Sequence, residues 1–195
     1  MVNFSKIETV VFITNVSMIM TKPRLILDQD DVLADTHGKL ADIIVRDFGT
    51  GLAREEFDKM SLHKILSSDH HQRLYGLIHE PGFFSDIPLV PNAQETVFAL
   101  SKKYEIFVAT AAMEFPNSFR EKYDWLKKHF DFIPWSNIIF CGDKSVLSGD
   151  YLVDDLPRNL KTFRGKGLLF NAPHNLEDTE FDRVMGWEEI ASRLL

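Results

Sequence analysis

Residues 24 to 32 read Arg-Leu-Ile-Leu-Asp-Gln-Asp-Asp-Val, an apolar run that ends in three carboxylates, Asp28, Asp30 and Asp31. A second apolar run, Tyr151-Leu-Val, ends in the pair Asp154-Asp155. One such cluster is an ordinary turn or helix cap, for which Asp is well suited. Two at the ends of strands call for something that removes the repulsion between like charges. A divalent cation does so, and Mg²⁺, a hard ion that takes oxygen ligands, fits an all-carboxylate set. Thr110, closing the apolar run Glu105–Thr110, and Lys144, after Ile138–Cys141, add a hydroxyl and an ammonium. Together these are the groups that phosphoryl transfer needs. One carboxylate attacks phosphorus, a second handles the proton of the leaving oxygen and then of water, and Thr, Lys and metal hold the phosphoryl oxygens.

The elements that must position these groups alternate. Strands are expected at 24–27, 105–110, 138–141, 151–153 and 167–170, each short and apolar on both faces as in a sheet covered by helices. Helices are expected around 40–48, 68–79, 93–103, 116–130 and 187–195. In the fourth of these, Phe119, Tyr123, Leu126 and Phe130 are read as the inward face. This alternation implies an α/β fold with a parallel sheet, and in such sheets ligands sit beyond the carboxyl ends of the strands. Residues 52 to 88 carry short helical patterns without a strong strand, broken at Pro81-Gly82, and read as a small helical insertion.

The chain has 195 residues, enough for one main domain, and its 45% hydrophobic content, with 16 Phe and three Trp, supplies a core rich in aromatic rings. A net charge of −7 argues against binding polymeric nucleic acid, while leaving room for a small anion where metal and local cations reverse the sign. The single cysteine, Cys141, excludes an intrachain disulfide and suits the reducing cytoplasm. Val10 to Met20 is apolar but too short to span a bilayer, is interrupted by Asn15 and Ser17, and lacks a cleavage site, so neither membrane insertion nor secretion is expected. Residues 1–20 are read as an N-terminal extension or an extra strand, with the core beginning near Thr21. His63, His70, His71 and His79 lack the spacing and the thiol partners of a zinc site and read as surface.

In chain order, Asp28-x-Asp30, Thr110, Lys144 and Asp154-Asp155 resemble the four motifs of the haloacid dehalogenase (HAD) superfamily of phosphatases. Asp28-Gln-Asp-Asp-Val-Leu-Ala-Asp35, Pro81-Gly-Phe-Phe84, and Gly142-Asp-Lys144 through Asp155 are similar to the 5′(3′)-deoxyribonucleotidase family within it. The resemblance implies a Rossmann-like parallel sheet flanked by helices, built from residues 21–34 and 89–195, with a small helical cap at 35–88. It implies Asp28 as nucleophile and Asp30 as general acid and base. Mg²⁺ would be held by Asp28, the Asp30 main-chain carbonyl and Asp154, with Asp155 in support; Thr110, Ala111 and Lys144 would bind phosphate.

Departures from the family pattern concern the substrate. Asp31 stands where many members have Gly, Thr36 where some carry an aromatic that touches the base, and Arg158 lies three positions past the acidic pair instead of next to it. Thr36, Phe83, Phe84 and Arg158 are the expected pocket residues. The implied substrate is a small phosphorylated metabolite, a (deoxy)ribonucleoside monophosphate first, and a homodimer is compatible with the family. A sugar phosphate, or a weakly active HAD-fold binding or regulatory protein, is the alternative. A dehalogenase would need neither Asp30 nor a metal, and a cation pump would need a membrane domain.

Overall fold

The computed structural model describes residues 21–195; the N-terminal extension, and any strand in it, lies outside the described residues. Six parallel strands form one sheet in the order β3-β2-β1-β4-β5-β6, with β1 Arg24–Leu27, β2 Glu105–Thr110, β3 Ile138–Phe140, β4 Tyr151–Asp154, β5 Lys166–Phe170 and β6 Arg183–Val184. The helices are α1 Thr36–Asp47, α2 Leu62–Ile65, α3 Ser68–Ile78, α4 Ala93–Leu100, α5 Phe119–His129, α6 Pro157–Thr162 and α7 Trp187–Leu194. The sheet is thus the doubly wound α/β arrangement that the alternating pattern implied.

Strand order reverses at β1, whose neighbours are β2 and β4, and such a reversal opens a crevice at the carboxyl ends of the strands. Register decides what arrives there. Leu27 pairs with Val153 and with Val108, so Asp28 and Asp154 are the next residues on adjacent strands, and Thr110 ends β2 on the other side. Adjacent strands lie about 4.8 Å apart, which brings carboxylates 126 positions apart in sequence into one cluster. Leu25, Leu27, Val108 and Val153 are fully buried, so the strand ends cannot slip without moving the core.

Between β1 and β2 the chain leaves the sheet and returns. Asp35 N–H donates to Pro88 O at 2.8 Å, Val90 N–H to Leu33 O at 2.9 Å, and Ala34 bridges Leu89 antiparallel, so the two crossings form a short ladder. The helices between them bury their own apolar cluster, centred on Ala41, Ile44, Phe48, Phe57, Leu66 and Leu74. Asp35 caps α1 by accepting from Gly38 N–H at 2.9 Å; a side chain at Gly38 would meet that carboxylate at 2.0 Å and displace the cap as it is seated.

Within this insertion, the buried His37 ring donates through Nε2 to Phe57 O at 2.9 Å, tying α1 to the 3₁₀ turn Arg54–Lys59. Burial holds its pKa below the ordinary 6.5. The unfolded chain therefore takes up this proton at higher pH than the folded one. Stability falls as pH drops through 6.5 and stops falling below the folded-state value. Because the raised Asp31 titrates with the opposite sign in the same window, the loss is read as a difference: between about pH 7.5 and about pH 5.5 thermal melts should show the wild type losing stability relative to His37→Gln, which keeps an N–H donor without the titration. An unchanged slope in the variant would contradict the assignment.

The sequence pattern missed β6, whose two residues carry no periodicity, and α6, which spans only six residues behind Leu156-Pro157. It also extended α4 past Leu100, where the chain enters a turn, and began α5 three residues early, where Pro116–Ser118 forms a 3₁₀ turn. The inward face of α5 differs as well: Lys122, Trp125 and Leu126 are buried, whereas Phe119 and Tyr123 are only half-buried.

Candidate active site

Asp28 sits at the end of β1 with its main-chain N–H on Val153 O, which extends the β1–β4 ladder by one residue. Its Oδ1 accepts from Gln29 N–H at 2.7 Å and lies 2.7 Å from Lys144 Nζ. Its Oδ2 accepts from no described residue. Lys144, 2% exposed, also donates to Asp154 Oδ2 at 2.7 Å, so one ammonium bridges the two strand-end carboxylates. Asp154 is further held by Leu156 N–H at 2.9 Å and by Asn159 Nδ2 at 2.9 and 3.1 Å. Pro157 at the first turn of α6 sets that helix directly after the acidic pair, which is why Asn159 can reach back.

Carboxylate oxygens of Asp28, Asp154 and Asp155 come within 4.8 Å of one another, all three residues buried. A second set, Asp31, Asp155 and His174, shares Asp155, whose Oδ2 is 2.9 Å from His174 Nε2. Burial, and then the neighbouring Asp154, Asp155 and Asp30, push the Asp28 carboxyl well above its usual range against the pull of Lys144; burial likewise raises Asp154. Lys144, buried between two carboxylates, stays charged. Burial pushes Asp31 up to about 8. Five carboxylates therefore face Lys122, Lys144 and His174 and remain short of positive charge even when all three are protonated. An oxygen-only donor set with that deficit fits a hard divalent cation.

Asp30 lies beyond the regular strand, yet its side chain reaches the same crevice. Thr36 Oγ1 donates to its Oδ1 at 2.8 Å and Lys122 Nζ to its Oδ2. In the turn that follows, Asp31 adopts φ +56°, a left-handed conformation that favours glycine and costs other residues about 1 kcal/mol or more. Asp31 is held in it by accepting from His37 N–H at 2.6 Å and donating its own N–H to Ala34 O at 2.7 Å. This geometry explains why glycine suits the position.

A cavity of about 180 Å³ opens onto these groups. Asp28, Asp30 and Lys122 form its charged end, Phe83, Phe84 and Phe115 its apolar wall, and Thr36, Ala111 and Arg158 also border it. Phe83 and Phe84 pack edge to face with centroids 4.9 Å apart, and both belong at the same time to the main core. Gly82, at φ +95°, makes the turn that presents them. Thr110 is fully buried, its hydroxyl 3.1 Å from Lys122 Nζ.

The structure thus gathers Asp28, Asp30, Thr110, Lys144, Asp154 and Asp155 at one sheet edge, and the pocket residues named from sequence border the adjoining cavity. Sequence reasoning missed Lys122, Asn159 and His174. Lys122 left a signal, a cation at a helical position between the buried Ser118 and Leu126; Asn159 and His174 left none, because their roles depend on how the chain folds back after β4 and β5.

Residues 22–195 match the family model described as 5′ nucleotidase, deoxy (pyrimidine), cytosolic type C protein. A Staphylococcus aureus (strain Mu50) protein, provisionally named a 5′(3′)-deoxyribonucleotidase, is 37% identical over 176 residues, covering 90% of this chain and 97% of that one. The 5′(3′)-deoxyribonucleotidase of Bacillus subtilis (strain 168) is 42% identical over 112 residues, 57% of this chain and 65% of that one. Among solved structures, a haloacid dehalogenase-like family hydrolase from Streptococcus pneumoniae superposes with a TM-score of 0.59 at 13% identity, covering 89% of this chain and 99% of that one. With a matched sequence model, a parallel sheet of HAD topology and an acidic crevice at its switch point, the chain belongs to the NT5C family of 5′ nucleotidases, phosphate-ester hydrolases on the HAD fold.

Proposed function

We propose that this enzyme hydrolyses deoxyribonucleoside monophosphates through a phosphorylated Asp28, with Mg²⁺ held by Asp28 and Asp154 and supported by Asp155. The observation that carries this reading is Lys144 bridging Asp28 and Asp154 at 2.7 Å each, with Asp28 Oδ2 free of donors from any described residue. With Oδ1 fixed by Gln29 N–H and Lys144, Oδ2 is the oxygen placed to attack phosphorus. Asp30 protonates the departing nucleoside oxygen, then takes a proton from the water that cleaves the acyl phosphate. The Thr110 hydroxyl and the Lys144 ammonium hold phosphoryl oxygens, with Ala111 beside them. The metal, when bound, neutralises charge between the carboxylates and the incoming phosphate; the resemblance adds the Asp30 main-chain carbonyl to its ligands.

Residues 35–88 act as a cap that shields the reaction from water, and the short ladder at Leu33–Asp35 and Pro88–Val90 serves as its hinge. The aromatic wall of Phe83, Phe84 and Phe115 suits a flat base, with Thr36 and Arg158 at its polar edge. Among the described residues no helix is long and apolar enough to cross a membrane, and a lone thiol suits the cytoplasm.

Phosphate release across 5′ and 3′ deoxyribonucleotides, ribonucleotides and sugar phosphates, with Mg²⁺ or with EDTA, tests this. Turnover should require the metal and be fastest on deoxyribonucleotides; full activity in EDTA, or faster cleavage of sugar phosphates, would contradict it. Binding of Mg²⁺ at about a hundred times its Kd contributes about 2.7 kcal/mol, which for a chain of this size raises Tm by about 5–10 °C. Asp154→Asn should abolish that shift in a thermal melt, and an undiminished shift would remove Asp154 from the metal site.

A further inference from the structure

Lys122 is a lysine on the buried face of α5, outside every motif of the site, with 2% of its side chain exposed. Its Nζ donates to Asp30 Oδ2 and to Thr110 Oγ1 at 3.1 Å, and lies 4.7 Å from the centroid of the Phe84 ring. A buried ammonium is costly unless it is paired, and this one borders the cavity that Asp28 and Asp30 open onto. It contacts the proposed proton carrier and one proposed phosphate ligand at once, so a phosphate presented to Asp28 and Thr110 comes within its reach.

The surroundings of Lys122 fix it there. Trp125, on the next turn of α5, donates its indole N–H to Ile87 O at 2.7 Å. Gln29, between the two catalytic aspartates, approaches Lys122 O through Nε2 at 3.5 Å. Glu121 accepts from the N–H groups of Gly82 and Phe84 (the latter at 2.9 Å), so neighbouring residues of one helix hold the aromatic loop and the acidic crevice.

We propose that Lys122 is an additional substrate-binding cation of this site, gripping a phosphoryl oxygen beside Thr110 and Lys144 while holding Asp30 in line with the leaving group. The inference rests on the phosphatase reading above. Lys144 is bound between Asp28 and Asp154 and neutralises the nucleophile side of the cluster, whereas Lys122 faces the acid side. A phosphate dianion flanked by both meets a cation on each side, an arrangement that favours charge spreading over the equatorial oxygens in the transition state.

The test is Lys122→Met, which keeps the length and apolar stem of the side chain, with Lys122→Gln as a second variant that retains a donor. Folding is checked by thermal melts, turnover by kcat and KM on a nucleoside monophosphate, and anion binding by calorimetric titration of inorganic phosphate in the presence of Mg²⁺. In the folded Met variant kcat should fall about 10²- to 10³-fold, the range for losing one preorganised donor. Phosphate affinity should fall about ten- to a hundredfold, as for a lost charged hydrogen bond, with the Gln variant intermediate. A folded variant with kcat and phosphate affinity within twofold of the wild type overturns the proposal. A fall in kcat with unchanged phosphate affinity also overturns it, leaving Lys122 as a positioning residue for Asp30 alone. A wild type that releases no phosphate from any nucleotide defeats the phosphatase reading instead, and the phosphate titration still tests Lys122.

Discussion

Replacing Asp28 by Asn should reduce kcat by about 10⁴-fold or more, the scale seen when a covalent nucleophile is removed, while leaving the fold intact. The amide keeps the shape of the carboxyl and its contact with Gln29 N–H, but its oxygen is too poor a nucleophile to attack phosphorus. Stability should hold or rise in metal-free buffer. Burial and the surrounding acids push the Asp28 carboxyl up, so its ionised form strains the folded state, and that strain grows as pH rises through the acidic range. Steady-state kinetics and a thermal melt check both halves. Residual turnover above about a hundredth of the wild type would remove Asp28 from the role of nucleophile, and a large fall in Tm would show the charge to be structural.

Asp30→Asn should lower kcat/KM by about 10²- to 10⁴-fold, the usual contribution of general acid and base catalysis. Its effect should depend on the leaving group. A nucleoside alkoxide needs a proton as it departs, whereas p-nitrophenolate leaves readily without one. The variant should therefore lose more on a nucleotide than on p-nitrophenyl phosphate, and bind inorganic phosphate within a few fold of the wild type. Equal losses on the two substrates would mean that Asp30 supports the site by some means other than proton transfer. Its two partners, Thr36 and Lys122, grip separate oxygens, so the carboxylate is aimed in a way that a solvated surface aspartate is not.

Much of this was legible in the chain because it depends on patterns that local physics enforces. Short apolar runs ending in Asp or Thr, or followed within a few residues by Lys, identify strand ends, and the alternation with helices implies a parallel sheet whose carboxyl edge gathers them. The order of motifs also carried the family, which the 22–195 match establishes. What escaped was tertiary. Lys122 looks like one more solvated lysine among Lys127 and Lys128 until the rotation of α5 is known, and that rotation is set by Trp125 reaching Ile87 O, not by apolar periodicity alone. Phe119 and Tyr123, inward by periodicity, are half-buried for the same reason. His174 and Asn159 act through chain reversals that leave no pattern in one dimension.

The strained turn at Asp31 shows a local rule broken at the point of function. A left-handed aspartate is unfavourable in isolation, yet it turns the chain back directly after Asp30, with its N–H on Ala34 O and its own carboxylate secured by His37 N–H. The family resemblance expects glycine here, and the backbone angle supplies the physical reason.

The most direct measurement is capture of the covalent intermediate. The wild-type enzyme, mixed with a ³²P-labelled deoxyribonucleoside monophosphate and Mg²⁺, is quenched in acid during turnover, treated with borohydride and mapped by peptide mass spectrometry. Reduction of an acyl phosphate leaves homoserine in place of the aspartate. The expected result is acid-stable, base-labile label on the enzyme and homoserine at position 28 alone. Turnover with no label at any quench time, or homoserine at another aspartate, would contradict Asp28 as the residue that attacks phosphorus.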